Sequence, residues 1–313
     1  MMKKTAGIHH ITAVVGHPQE NIDFYATVLG LRLVKQTINF DEPGTYHLYF
    51  GNEGGQPGTI ITFFPVIGAP QGKIGAGQVS VTSYAVPIGA LSFWEQRLQT
   101  FNIPFTQTKR FGETYLTFTD PHGLQLEIVE RKSGKQNKWT VGNMTPSVAI
   151  KGFSGATLLS TAPIQTAQLL ENVLGFQKIK EEGDFIRFSA DSDLGNMIDL
   201  KQTSSPRGYM GVGTVHHIAW RADHDEEQLD WKKHVQKHGY HVTPVQDRNY
   251  FNSIYFREHG GILCEIATDP PGFAHDESYE TMGERLMLPE RFEKYREQIQ
   301  RSLVPIQLKK RDQ

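Results

Sequence analysis

The chain has 313 residues, 38% hydrophobic and 21% charged, a globular balance that excludes disorder, collagen-like repeats and a coiled coil as descriptions of the whole. Thirty-two Lys and Arg against 34 Asp and Glu leave a net charge of -2, with no basic excess to attract nucleic acid or an anionic membrane. The one cysteine, Cys264, suits a reducing compartment, and no apolar run approaches the roughly 20 residues of a membrane span, so a cytoplasmic location is expected.

The chain repeats itself. Gly7-Ile8-His9-His10-Ile11-Thr12-Ala13-Val14 returns as Val215-His216-His217-Ile218-Ala219-Trp220. Phe24-Tyr25 followed by Val28-Leu29-Gly30-Leu31 returns as Leu169-Leu170 followed by Val173-Leu174-Gly175-Phe176. Thr119–Ile128 resembles Arg257–Ile266. These matches define units near 7–66, 77–131, 150–203 and 213–268, separated by linkers 67–76, 132–149 and 204–212.

Unit one sets the pattern. An alternating strand opens it, and Gln19–Leu29 reads as an amphipathic helix with Ile22, Tyr25, Ala26 and Leu29 on one side. Gly30 sits where a helix C-terminal glycine belongs. Strands are expected near Leu31–Asn39, Tyr46–Gly51 and Thr59–Phe64, with a Gly-rich turn at Asn52–Gly58. Each unit is therefore βαβββ, too small to stand alone, and its sheet should pair with another unit's. The fold class is α+β, with four such units forming two paired-sheet domains; along the chain, units one and two occupy 7–131 and units three and four 150–268. Residues 269–313 form a helical C-terminal extension, with Pro289 at the start of a charged helix over Phe292–Leu303. It is either packed on the surface or a lid.

On the opening strand His10, Thr12 and Val14 share a face; His217 shares one with Ala219, and Glu265 lies opposite Cys264. If two units pair, both imidazoles and the carboxylate can meet. Two His and one carboxylate on one face of an octahedron leave three positions open, the arrangement of non-haem Fe(II) oxygenases. A bidentate diol and dioxygen would fill them.

The His-His-Ile-Thr-Ala-Val opening, the Asp23-Phe24-Tyr25…Leu29-Gly30-Leu31 helix end and the Gly261-Ile262-Leu263-Cys264-Glu265-Ile266 close resemble the vicinal oxygen chelate superfamily. That superfamily includes glyoxalase I, bleomycin- and fosfomycin-resistance proteins and type I extradiol dioxygenases. Gly44–Gly51 and Asp247–Phe251 are similar to the bacterial hydroquinone-specific ring-cleaving dioxygenases.

The resemblance, which covers about residues 6–275, implies a metal-dependent ring-cleaving dioxygenase of the extradiol type, acting with O2 on a dihydroxylated aromatic. Its ligand pattern falls on His10, His217 and Glu265, while His9 and His216 alternate to the other face. Units two and three open without histidine, so unit one is expected to pair with unit four around the metal. Glu127 then reads as an ordinary strand carboxylate. The resemblance further implies Tyr255 as a hydrogen-bond donor to the reacting oxygens and His47 as the acid/base. Arg248, Asn249 and Tyr250 are candidate substrate-binding residues, with Phe251 beside the pocket. The implied cofactor is Fe(II), with Mn(II) accepted by the same ligands. The implied partners are a small aromatic diol and O2; a homo-oligomer is compatible with all of this. A glyoxalase-like lyase or isomerase would use Zn(II) or Ni(II) and often a fourth ligand, but Thr62 stands where its second Glu would be. A non-catalytic aromatic-binding resistance protein is the remaining alternative.

Overall fold

The computed structural model describes residues 3–203 and 205–308. Residues 1 and 2, residue 204 in the expected 204–212 linker and the last five residues of the expected extension fall outside that range.

Four strands follow one another in each unit. Unit one holds β1 (Ile8–Val15), β2 (Arg32–Asn39), β3 (Glu42–Gly51) and β4 (Ile60–Pro65). Unit two holds β5 (Gln78–Val86), β6 (Phe105–Arg110), β7 (Glu113–Thr119) and β8 (Gln125–Glu130). Unit three holds β9 (Gly152–Leu159), β10 (Gln177–Glu182), β11 (Phe185–Ser189) and β12 (Met197–Lys201). Unit four holds β13 (Thr214–Ala222), β14 (Gln246–Asp247), β15 (Phe251–Arg257) and β16 (Leu263–Pro271).

These strands form two curled eight-stranded sheets, each a half-barrel. The order β14-β15-β16-β13-β1-β4-β3-β2 joins unit four to unit one. The order β10-β11-β12-β9-β5-β8-β7-β6 joins unit three to unit two. In both, two opening strands meet antiparallel at the centre, each with its own closing strand parallel on the far side. The alternation on β1 divides the residues: Ile11, Ala13 and Val15 enter the core, while His10 and Thr12 face the concave side. Backbone bonds tie the half-barrels together, Ile8 N–H to Gly195 O at 2.9 Å and Phe153 N–H to Gly58 O at 2.8 Å.

The helix expected over Gln19–Leu29 begins at Pro18 as one α turn and continues over Asp23–Val28 as a wider π coil, in which Leu29 N–H donates to Phe24 O at 3.0 Å. Unit three does the same, with Leu174 N–H to Leu169 O at 2.9 Å. Over so few residues apolar spacing cannot separate a 3.6-residue turn from a wider one. Gly30 ends the coil at φ 66°, and Leu31 N–H closes back on Tyr25 O at 2.9 Å, as a C-terminal glycine cap requires. The third strand starts at Glu42 rather than near Tyr46, because its ladder with β2 runs to Asn39.

The single helix expected over Phe292–Leu303 is two short ones, Glu290–Glu293 and Arg296–Ser302, broken where Tyr295 N–H turns back to Phe292 O at 2.9 Å. The chain before them, residues 272–287, runs as a strap along the edge strand β2. Met287 N–H donates to Gln36 O at 2.9 Å, and Arg32 guanidinium hydrogens go to Tyr279 O and Glu280 O at 2.6 and 3.0 Å. Phe273 and Met282 of the strap enter a buried cluster with Val34, Tyr49, Tyr250 and Phe251 inside the first half-barrel.

Candidate metal centre

Three strands place the three candidate ligands side by side. Thr12 of β1 is in register with His217 of β13, and Ala219 of β13 with Glu265 of β16. His10 Nε2 lies 3.2 Å from His217 Nε2, and Glu265 Oε2 lies 3.4 and 2.9 Å from those two nitrogens. All three residues are buried.

The alternation rule sends His9 and His216 to the far face, but the strands bulge at both. Between Ile8 and His10 the register slips by one residue against β13, and it slips again where Thr12 and Ala13 oppose His217 and Val215. His9 and His216 are the extra residues, and a bulge re-aims its side chain. His9 Nδ1 comes within 3.0 Å of His10 Nδ1, and His216 Nδ1 within 2.8 Å of His217 Nδ1.

Those contacts settle a tautomer. His9 Nε2 is 3.1 Å from Thr268 O, a carbonyl that can only accept, so Nε2 carries the hydrogen. Burial, followed by the neighbouring His10, holds the His9 imidazole neutral, well below its usual titration range. Its Nδ1 is then an acceptor, His10 Nδ1–H must donate to it, and His10 Nε2 presents a bare lone pair to His217 and Glu265. Burial likewise lowers His217, and pushes His216 down to about 3. Burial alone would raise the Glu265 carboxyl, but His10 and His217 beside it hold it well below the usual carboxylate range. Ser253 Oγ donates to Oε1, while Oε2 is buried without a hydrogen bond.

Lone pairs of two imidazoles and a carboxylate packed this closely repel unless a cation joins them. Neighbouring ligands about 2.1 Å from one ion, at right angles, stand about 3 Å apart, which matches the observed edges. The donor set therefore fits a divalent cation.

A profile of the Glyoxalase/Bleomycin resistance protein/Dioxygenase superfamily matches residues 7–128 and 163–273. The chain belongs to this superfamily. Among its members, MhqO of Bacillus subtilis (strain 168), provisionally named a ring-cleaving dioxygenase, is 68% identical over 312 residues, covering 100% of both chains. The chlorohydroquinone/hydroquinone 1,2-dioxygenase of Sphingobium indicum is 33% identical over 311 residues, 96% of this chain and 97% of that one. A crystal structure from Bacillus subtilis, provisionally described as a dioxygenase, superimposes with a TM-score of 0.97 at 68% identity, over 98% of this chain and 99% of that one. Glyoxalase I from Zea mays shares the fold, with a TM-score of 0.62 at 12% identity over 84% of this chain and 92% of that one.

Around the His10/His217/Glu265 cluster stand other expected residues. Tyr255 of β15 faces the concave side, its ring 5.7 Å from that of His217. Burial and the nearby Glu265 carboxylate raise its phenol. Arg248 Nε donates to Tyr255 OH at 3.3 Å, and its other nitrogens reach Asp41 and Gln246 at 3.0 and 2.6 Å. Phe251 packs its ring 5.2 and 5.0 Å from His9 and His10. An open pocket of about 390 Å³, lined by Tyr240, His241, Thr243, Arg257 and Leu263, shares Tyr255 with the site.

Asn249 and Tyr250 turn toward the strap. Asn249 is a turn residue at φ 68°, and Tyr250 OH donates to Asp276 Oδ2 of the strap at 2.9 Å. His47 is 2.8 Å from Thr62 Oγ1 through Nε2 and 2.8 Å from Tyr49 OH through Nδ1. Burial, then His10 and His217, lower its titration well below the usual range. Sequence reasoning set His9 and His216 aside as facing away, and passed over Ser253 and Tyr49. The doubled His-His was the one signal for the first two.

The second half-barrel repeats the backbone without the ligands. Register puts Glu127 and Asp199 where the first has Glu265 and Thr62, and Val81 and Gly155 where it has His217 and His10. Arginines fill the space. Arg110 grips both oxygens of Glu127 at 2.9 and 2.7 Å and donates to Asp199 at 2.7 Å, and Arg187 donates twice to Asp199 at 2.7 and 2.8 Å. Glu127 is thus neutralised within the protein.

Proposed function

We propose that this chain is a metal-dependent dioxygenase of the extradiol type, which opens the ring of a dihydroxylated aromatic, of hydroquinone or catechol type, with O2. The observation that carries the reading is the buried His10/His217/Glu265 cluster, three donors on one side of a point with no fourth protein ligand offered among the described residues. Relatives named as ring-cleaving dioxygenases along the whole chain support the reaction class.

Fe(II), or Mn(II) on the same donors, would be held by His10 Nε2, His217 Nε2 and Glu265, and supplies the redox link between ring and dioxygen when bound. The protein's residues do the rest. Thr268, through His9, keeps His10 Nε2 unprotonated. Ser253 holds the Glu265 carboxylate. Tyr255 keeps its proton and donates a hydrogen bond to an oxygen of the bound diol, oriented by Arg248. His47, neutral and buried, links the Tyr49 hydroxyl to Thr62 beside the site. Phe251 offers a flat apolar wall to the ring.

The glyoxalase-like reading lacks its fourth ligand. Thr62 is in register with Thr12 as Glu265 is with Ala219, and its hydroxyl is already bonded to Thr12 and His47. Anaerobic reconstitution with Fe(II), followed by oxygen-uptake recording with hydroquinones and catechols, tests the proposal. Oxygen consumption with one diol class is expected. No uptake with any diol, but turnover of a hemithioacetal, would reverse it.

A further inference from the structure

Four side chains from three strands form a file: Tyr49 OH is 2.8 Å from His47 Nδ1, His47 Nε2 is 2.8 Å from Thr62 Oγ1, and Thr62 Oγ1 is 2.8 Å from Thr12 Oγ1. Run head to tail, with each group giving one hydrogen to the next, the file has two directions. If it runs from Thr12 to Tyr49, the Tyr49 hydroxyl accepts and its own hydrogen needs another acceptor. Among the described residues its ring lies among Tyr250, Phe251 and Phe273, and His47 is its one recorded hydrogen-bond partner. An orphan O–H buried in that aromatic nest costs on the order of 1–3 kcal/mol. If the file runs from Tyr49 to Thr12, every link is satisfied until the last. The leftover hydrogen is on Thr12, which is fully buried, two residues along β1 from His10, on its face, and in register with His217. That donor lies on the same face as the His10 and His217 rings, where a ligand of the triad would supply its acceptor.

We propose that Tyr49, His47, Thr62 and Thr12 form a one-way hydrogen-bond chain whose last hydroxyl, on Thr12, donates to an oxygen of the aromatic diol. The last link rests on the functional reading above; the direction of the chain does not. Thr12 touches the substrate, and Tyr49, His47 and Thr62 are positioning residues acting through it. His47 therefore works through Thr62 rather than on the diol itself. No bond is made or broken in the resting chain; the diol oxygen is the acceptor that completes it. Such a donor distinguishes a ring carrying a hydroxyl or phenolate from one carrying an ether or hydrogen at that position, because an unpaired Thr12 hydroxyl is then left buried.

Two measurements test it. In metal-free protein with 15N-labelled histidine, the His47 ring, assigned by its loss in His47→Gln, is expected as the Nε2–H tautomer, with Nδ1 shifted as a hydrogen-bond acceptor. Tyr49→Phe should abolish that shift, while Thr62→Ser keeps it. An Nδ1–H tautomer in the unmodified protein, or a Tyr49→Phe spectrum identical to it, overturns the direction. In anaerobic, metal-loaded protein, Thr12→Val and Thr62→Val should each weaken hydroquinone or catechol binding about fivefold to tenfold at unchanged metal content, with Thr12→Ser restoring it. Unchanged affinity in Thr12→Val overturns the last link. Unmodified protein that binds no diol overturns the functional reading and that link together, and leaves the tautomer result standing alone.

Discussion

The carbonyl oxygen of Thr268 sits 3.1 Å from His9 Nε2, and that single contact decides which nitrogen of the next residue is free. His9 has to donate there, so it accepts from His10, and His10 turns an unprotonated Nε2 to the triad. Partners of this kind are typically worth 10-fold to 100-fold in metal affinity. His9→Phe should therefore weaken Fe(II) or Zn(II) binding by that factor in a competition with a chelator. His9→Gln, which can accept at Nδ1's place, should recover part of it. Equal affinity in His9→Phe would show that the tautomer is set otherwise.

The two half-barrels predict opposite outcomes for equivalent carboxylates. Glu265→Ala removes a donor from the triad, and metal content should fall to background while the fold persists. Glu127→Ala should leave metal content unchanged but remove two of the three carboxylate bonds of the mostly buried Arg110 guanidinium, leaving it Asp199. The loss should read as a lower denaturation midpoint, by less than the roughly 3–5 kcal/mol of a buried charge left with no partner. Metal loss in Glu127→Ala with retention in Glu265→Ala would move the centre to the other sheet.

Much of this was legible in the sequence, and the reasons are physical. Period-two alternation on a repeated strand groups His10, His217 and Glu265, the resemblance to the vicinal oxygen chelate superfamily selects them over their neighbours, and the absence of histidine from units two and three distinguishes the two sheets. Parity failed at His9 and His216, because a bulge inserts one residue without any mark beyond the doubled histidine. The Tyr49–His47–Thr62–Thr12 file crosses three strands whose register is a property of the assembled sheet. The positive φ at Asn249 and the bonds of Asn249 and Tyr250 to the strap's Asp276 set where these two point, and the sequence beside Arg248 marks neither. The strap was hidden for a related reason: residues 272–287 have no periodicity, and their partners Arg32, Lys35 and Gln36 lie some 240 positions earlier.

Acid should weaken the metal-free protein through His47. Burial, and then His10 and His217, depress its folded-state titration, whereas in the unfolded chain an imidazole titrates near 6.5. Below that pH the unfolded chain binds a proton that the folded one refuses, so the contribution is intact above about 6.5 and is lost as pH falls. The slope for one such group is about 1.4 kcal/mol per pH unit. Urea midpoints from pH 7.5 to 5 should therefore fall less steeply in His47→Gln than in the unmodified chain. Parallel curves would mean that His47 takes up its proton over the same pH range in the folded and unfolded chains.

Lys35 has no exposed surface, and its ammonium is shared by the strap's Asp276, at 2.6 Å, and Glu277, while lying 4.8 Å from the Tyr250 ring centre. Lys35→Met fills the same volume but leaves the Glu277 carboxylate, whose side chain is also buried, without its cation. Two consequences should appear together. Limited proteolysis should cut within 272–287 before the rest of the chain, because the remaining ties to β2 are mostly hydrogen bonds to backbone carbonyls. Diol binding should weaken as well, because the strap carries Phe273, whose ring lies 5.1 Å from Tyr49, and Tyr49 orients His47. Metal affinity should hold, since His10, His217 and Glu265 all come from β1, β13 and β16 on the far side of β4 and β3 from β2. A Lys35→Met protein that resists protease like the unmodified chain would show that the apolar seat of Phe273 and Met282 alone keeps the strap in place.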